Sequence, residues 1–214
     1  MKAAVYDAEG APGVLKYVDV PEPVTGPDDI LISVEAISIE GGDLINRRST
    51  PPPLPSWIVG YAAAGTVVAV GSKVRSRTVG DRVAAFHMQG SHAERWAVPA
   101  ERTWLIPDGV GMAEAAALPI SFGTAHHCLF TRGMLRQGET VLIQAAAGGV
   151  GLAAVQLASQ AGATVIAVVS GTQRRGRLRE LGADHVVDRT KDNIVDSVRQ
   201  YTHGTGVDLV IDPV

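Results

Sequence analysis

Six residues in the second half of the sequence form a turn suited to holding an anion: Ala146-Ala147-Gly148-Gly149-Val150-Gly151. They lie between an apolar run at 140–144 and a pattern that reads as a helix over about 149–161. The spacing fits the dinucleotide fingerprint Gly-x-Gly-x-x-Gly/Ala, with Ala146 in the first place. A small first residue permits a tight turn, and Gly148 lets the backbone approach a pyrophosphate. Gly151 lets the helix sit close to the strand, while the N–H groups at the helix start face the anion. The plainer alternative is that glycine and alanine merely allow tight packing. The strand before the turn and the helix after it weigh against that.

The choice of dinucleotide follows from what lies downstream. An NAD site usually carries Asp or Glu about 20 residues after the motif, at the end of the second strand, for the ribose hydroxyls. No acidic residue occurs between Thr140 and Arg179. Instead Ser170 ends the strand and Arg174, Arg175, Arg177 and Arg179 follow. A carboxylate there would repel a 2′-phosphate, whereas a hydroxyl and a guanidinium bind it. Four arginines at helical spacing cannot converge on one phosphate. Ser170 and Arg174 are the expected contacts, the others a solvated basic face. The pattern therefore predicts NADPH rather than NADH.

The elements that must position these residues fall into two parts, 1–118 and 119–214. In the first, short β-like runs such as "KAAVYD", "ILISVEAIS", "AAGTVVAVG" and "AERWAVP" alternate with turn clusters, and "VGDRV" reads as a turn feeding a strand. That pattern predicts a small barrel-like β domain. In the second, strands at about 140–144, 164–169, 184–188 and 207–212 alternate with helices at about 149–161, 172–181 and 191–202. Such alternation predicts βαβ units and a parallel sheet. The segment "AEAAALPISFGTAHHCLFTRG" reads as a helix joining the parts. The overall class is α/β. With 46% hydrophobic residues and a formal net charge of −3, the chain has no basic field that argues for nucleic acid. Its one cysteine, Cys128, excludes an internal disulfide framework and fits a reducing setting. No apolar run reaches the ~18 residues a membrane span needs, and the N-terminus lacks the apolar core of a signal peptide. A cytoplasmic protein with neither membrane nor nucleic-acid partner is expected.

The stretch Gly138-Glu139-x-x-Leu142-x-x-x-Ala146-Ala147-Gly148-Gly149-x-Gly151, followed by Gln156 and Ser159, resembles the signature of the zinc-free quinone oxidoreductase (zeta-crystallin-like) branch of the medium-chain dehydrogenase/reductase superfamily. "GDLINRRSTPPPLP", "GYAAAGTVVAVG", "VGDRV", "HAERWAVPAE" and "ALPISFGTA" follow in the order of that family. The resemblance implies a GroES-like β domain that carries substrate groups, then a Rossmann doubly wound sheet. Zinc-dependent relatives hold a catalytic metal where Glu40, Tyr61 and Ile120 stand here, and a four-cysteine lobe is impossible with one cysteine. No metal ligand is predicted. The resemblance also implies that Thr124 lies beside the nicotinamide. It puts Asp43 in the acidic position of an active-site turn whose Asn-Pro is here Glu40-Gly41, and Arg189 near the 2′-phosphate. Ala62 stands in place of a family glutamate and Ile45 in place of an active-site tyrosine. Asp43 has a second reading, as a cap for the short helix that follows it.

The implied chemistry is hydride transfer from NADPH to a quinone or an α,β-unsaturated carbonyl, with the proton drawn from solvent. Alternatives are an enoyl reductase of polyketide or fatty-acid type and a non-catalytic NADPH-binding protein. Met1 opens directly on the first strand, which favours a stand-alone protein over a synthase module. A full doubly wound sheet has six strands, and only four are read here. The expectation is a C-terminally truncated chain with weak or no turnover alone, and a homodimer in the full-length form.

Overall fold

The computed structural model describes residues 1–171 and 173–213. The chain divides into two compact units, Met1–Ile120 and Ser121–Val214. Thr172, the first residue of the helix expected over 172–181, lies outside the described residues. So does Val214, the last residue of the expected second domain.

The first unit is built from β1 (Lys2–Tyr6), β2 (Lys16–Asp19), β3 (Asp29–Ser38), α1 (Gly41–Ser49), β4 (Trp57–Ile58), β5 (Ala62–Val70), β6 (Arg82–Phe86), β7 (Arg95–Pro99) and β8 (Thr103–Leu105). One antiparallel sheet runs β7-β3-β5-β6-β8, and a smaller one runs β2-β1-β4. Side chains alternate along β3, so Ile30 and Ile32 turn inward together. They pack with Val67, Val83, Trp96 and Val98 in a fully apolar cluster. The "VGDRV" turn is real: Gly80 has φ +97°, and the Asp81 carboxylate accepts both the N–H and the hydroxyl of Thr78. β4 and β8 escape sequence reading because two or three residues are too few to show alternation.

Helix α2 (Met112–His126) follows, extended by a π-helical turn, His127–Arg132. The second unit then alternates β9 (Thr140–Ile143), α3 (Gly149–Gln160), β10 (Thr164–Val169), α4 (Arg175–Glu180), β11 (His185–Asp188), α5 (Ile194–Tyr201) and β12 (Leu209–Ile211). All its pairings are parallel and the strand order is β11-β10-β9-β12, matching the first four strands of a doubly wound sheet. Alternation sorts the core. Val141 and Ile143 join Ala154, Val155, Ala158 and Leu178 from α3 and α4. Leu142, Ile166 and Val168 pack against Ile194 and Val198 from α5 on the other face. Both faces are covered, which is why β10 reads as an unbroken apolar run. Two helices start later than expected. α5 begins at Ile194 because the Asn193 side chain accepts the N–H groups of Val195 and Asp196. α4 begins at Arg175, which leaves Arg174 in the turn before it.

Gly65 marks the tightest point between central strands. It pairs with Val34 next to a register shift between Val34 and Ala36, and a Cβ there would stand 2.0 Å from the Ser33 carbonyl oxygen. Gly65→Ala is expected to lower the urea midpoint by the equivalent of about 1–3 kcal/mol with the slope unchanged. An unaltered midpoint would show that β3 and β5 give way freely.

Candidate functional site

In an open parallel sheet, ligands settle beyond the carboxyl ends of the strands where the chain reverses its order of addition. Here that place is the end of β9, between β10 and β12. The chain leaves β9 through Ala145, which adopts φ +43°. Ala146 is fully buried and its N–H donates to the Val168 carbonyl at 3.0 Å, locking the turn to β10. Gly148 precedes α3 in an extended conformation and offers no side chain to cap it. The N–H groups of Gly149, Val150 and Gly151 are thus left for solvent or a ligand.

The glycines of this turn are not equivalent. A Cβ on Gly151 would lie 2.4 Å from the Ala145 carbonyl oxygen and 2.7 Å from Ala146 Cα, so this glycine seats the helix on the turn. A Cβ on Gly149 would meet Ser121 Oγ at 2.9 Å. Gly148 is different. Its φ of −83° suits any residue, and a Cβ would meet only the Ala145 oxygen, at 3.3 Å. Packing constrains Gly151 most and Gly148 least, where the Ala145 oxygen would have to give by only a few tenths of an ångström.

A cleft of about 790 Å3 opens beside this turn, lined by Ala147, Gly148, Ser170, Gly171, Arg174 and Lys191 among others. The arginines separate by partner. Arg174 Nη1 donates to the Ala147 carbonyl at 2.7 Å, and Arg189 Nε donates to Ser170 Oγ at 2.7 Å. Arg177 pairs with Glu180 at 3.1 Å, and Arg175 pairs with Asp192 at 3.3 Å. Ser170, Arg174 and Arg189 are therefore the guanidinium and hydroxyl groups assembled at the ends of β10 and β11. Val150 stands apart from them. With Thr124, Cys128, Leu209 and Ile211 it lines a second cleft of about 490 Å3 in the same unit.

Sequence reading passed over two residues here. Lys191 lines the first cleft, and only its place two residues after Arg189 could have flagged it. Asp188 ends β11 beside Val169. It is completely buried. Its Oδ1 accepts Gly171 N–H at 2.8 Å, Thr190 N–H at 3.1 Å and Thr190 Oγ1 at 2.7 Å. The Gly171 N–H foremost, with the Thr190 donors, holds its carboxyl below the usual carboxylate range.

In the first unit, Asp43 lies inside α1, not ahead of it, and is buried. Its Oδ2 accepts the N–H of Glu40 at 2.9 Å and lies 3.9 Å from His92 Nε2. Burial, the largest effect, holds its carboxyl above the usual carboxylate range against the smaller opposing pull of the Glu40 N–H and His92. So Asp43 does secure the helix start, by reaching backward from the third helical position. Tyr61 Oη accepts from Asn46 Nδ2, and burial followed by the Asp43 charge pushes its phenol up. Of the residues expected to stand in place of metal ligands, Ile120 has no donor atom and Glu40 Oε1 takes the Ser38 hydroxyl at 2.6 Å. Among the described residues no group of three or more His, Cys, Asp or Glu side chains is placed to hold a metal ion. The donor set does not fit zinc.

The unequal glycines make a direct comparison possible. Gly148→Ala should cost clearly less stability than Gly151→Ala yet weaken NADPH binding at least about tenfold, a loss near 1.4 kcal/mol. Gly151→Ala should itself destabilise the fold by about 1–3 kcal/mol. Thermal unfolding and fluorescence titration of both variants check this, and equal stability losses would contradict it.

Residues 26–122 match the family described as alcohol dehydrogenase GroES-like domain, and residues 149–214 match the one described as zinc-binding dehydrogenase. The chain is 36% identical over 193 residues to the synaptic vesicle membrane protein VAT-1 homolog of Rattus norvegicus, covering 89% of this chain and 48% of that protein. It is 38% identical over 197 residues to the quinone oxidoreductase-like protein 2 homolog of Nematostella vectensis, covering 88% and 53%. It thus spans about half the length of the curated relatives it matches. Among solved structures, the quinone oxidoreductase from Coxiella burnetii superposes with a TM-score of 0.90 at 32% identity, over 100% of this chain and 68% of that one. A mycobacterial protein, Rv1454c, solved in complex with NADPH, gives 0.90 at 37% identity over 98% and 66%. The CurK enoyl reductase gives 0.92 at 27% identity over 100% and 67%. With the β unit, the parallel sheet and the glycine turn in this order, the chain belongs to the medium-chain dehydrogenase/reductase superfamily, in its quinone oxidoreductase-like branch.

Proposed function

We propose that this chain belongs to an NADPH-dependent oxidoreductase that reduces a quinone or an α,β-unsaturated carbonyl without a metal. The observation that carries the reading is the open start of α3, where Gly148 is the glycine of the turn least constrained by the protein's own packing. The similarity to quinone oxidoreductases and to a relative solved with NADPH supports it. The residues fit the cofactor on chemical grounds. The turn 146–151 offers backbone N–H groups to a pyrophosphate. Ser170, Arg174 and Lys191 line the cleft and Arg189 bonds to Ser170, so a hydroxyl and three cations are offered to a 2′-phosphate, and among the described residues no carboxylate lines that cleft.

When bound, NADPH supplies the hydride. The chain's own part is to hold, orient and desolvate. In this reading Ala146, Gly148, Gly149 and Gly151 shape the pyrophosphate seat, while Thr124 and Val150, which share the second cleft, face the nicotinamide end. Residues 119–214 form the cofactor domain and 1–118 the substrate domain. There Asp43 steadies the start of α1, and the proton comes from solvent. Enoyl reduction is the second reading, favoured by the likeness to CurK. Among the described residues no helix is long and apolar enough to cross a membrane. A cytoplasmic homodimer is the proposed form.

The test is NADPH and NADH oxidation over a panel of quinones, enals and enoyl thioesters, with binding titrated in parallel. The account expects NADPH to bind at least about tenfold tighter than NADH, and Arg174→Glu to abolish that preference, since a phosphate–guanidinium contact exceeds 1.4 kcal/mol. Turnover of quinones or enals supports the first reading, and turnover of thioesters alone replaces it with the second. NADH binding as tightly as NADPH overturns the cofactor assignment.

A further inference from the structure

Asp188 is a charged group with no solvent exposure at the carboxyl end of a strand, and nothing in the reading above uses it. It is not needed to end β11, whose neighbour β10 stops at the same level with Val169. A buried carboxylate is costly unless it is well bonded. Here one oxygen collects three donors from two different loops. Gly171 N–H comes from the loop after β10, and the Thr190 N–H and hydroxyl come from the loop after β11. The same residue's main chain ties its own loop down: the Asp188 carbonyl accepts the N–H groups of Lys191 and Asp192. Asp192 in turn accepts the Asp188 N–H at 3.2 Å and pairs with Arg175.

Consequently the two residues flanking this clamp are fixed relative to each other. Ser170 precedes Gly171, whose φ is +86°. Arg189 lies between Asp188 and Thr190, and its N–H donates to Val169 O at 2.9 Å. Their side chains meet, Arg189 Nε to Ser170 Oγ. We propose that Asp188 is a positioning residue for cofactor selection: it locks the two loops together so that Ser170 and Arg189 stand as a preformed receptor for a ribose 2′-phosphate. This rests on the dinucleotide reading above and deepens it. Oδ1 is turned to N–H and O–H donors inside the protein, while Oδ2 is buried with no hydrogen-bond partner among the described residues, so the carboxylate acts on the loops around it and not on solvent. Preorganised charge-assisted contacts lose strength when their carriers become mobile.

Three variants test this by fluorescence titration with NADPH and with NADH. Asp188→Ala removes the clamp and should weaken NADPH binding about tenfold, while NADH changes less than about threefold. Asp188→Asn keeps an acceptor oxygen for Gly171 and Thr190 and should retain most of the NADPH preference. In an Arg189→Ala background, Asp188→Ala should leave the NADPH to NADH ratio unchanged within about twofold, because the receptor is already gone. A parallel loss of both dinucleotides, or an undiminished ratio in Asp188→Ala, overturns the inference while the cofactor reading stands. Failure of the unaltered protein to bind either dinucleotide overturns both. If Asp188→Ala does not fold, Thr190→Val removes one donor from the same oxygen and should shift the ratio in the same direction, and an unshifted ratio there overturns the inference.

Discussion

The close seating of α3 on the end of β9 is the constraint from which the rest of the second unit follows. Gly151 permits it, because any Cβ would collide with backbone atoms of Ala145 and Ala146. Once the helix sits there, its first N–H groups emerge at the carboxyl edge of the sheet, where the strand order reverses. Ala145 must then take a left-handed conformation to connect them, a strain of order 1–3 kcal/mol that surrounding packing has to hold. Ala146, fully buried and bonded to β10, supplies that hold.

Three strand ends then share the work around that helix start. β9 delivers the backbone turn, β10 delivers Ser170, and β11 delivers Arg189 through the Asp188 clamp. The charges sort themselves by partner. Arg175 and Arg177 pair with Asp192 and Glu180, while Arg174 and Lys191 line the cleft and Arg189 bonds to its Ser170.

Much of this was legible in the sequence, for identifiable reasons. The parallel sheet announced itself because its strands are buried on both faces and its helices are long enough to show periodicity. The glycine turn was legible because close backbone approach admits few residue types. The motif could not say which glycine packing constrains most. That needed the distances to Ala145, Ala146 and Ser121. Arg174, expected to contact a 2′-phosphate, lines the first cleft. Val150, expected with the glycines, instead lines the second cleft beside Thr124. Asp188 and Lys191 were missed because their importance depends on β11 lying next to β10, a tertiary fact with no local signature. Helix starts were misjudged where a side chain, as at Asn193, competes for backbone N–H groups.

The central claim is that a dinucleotide lies with its pyrophosphate against the start of α3. Amide hydrogen exchange with and without NADPH tests it most directly. The account predicts slowed exchange concentrated in the segments 147–152 and 170–174, with the fully buried strands unchanged. Tight NADPH binding with no slowing in 147–152, or with protection confined to the first unit, would contradict it.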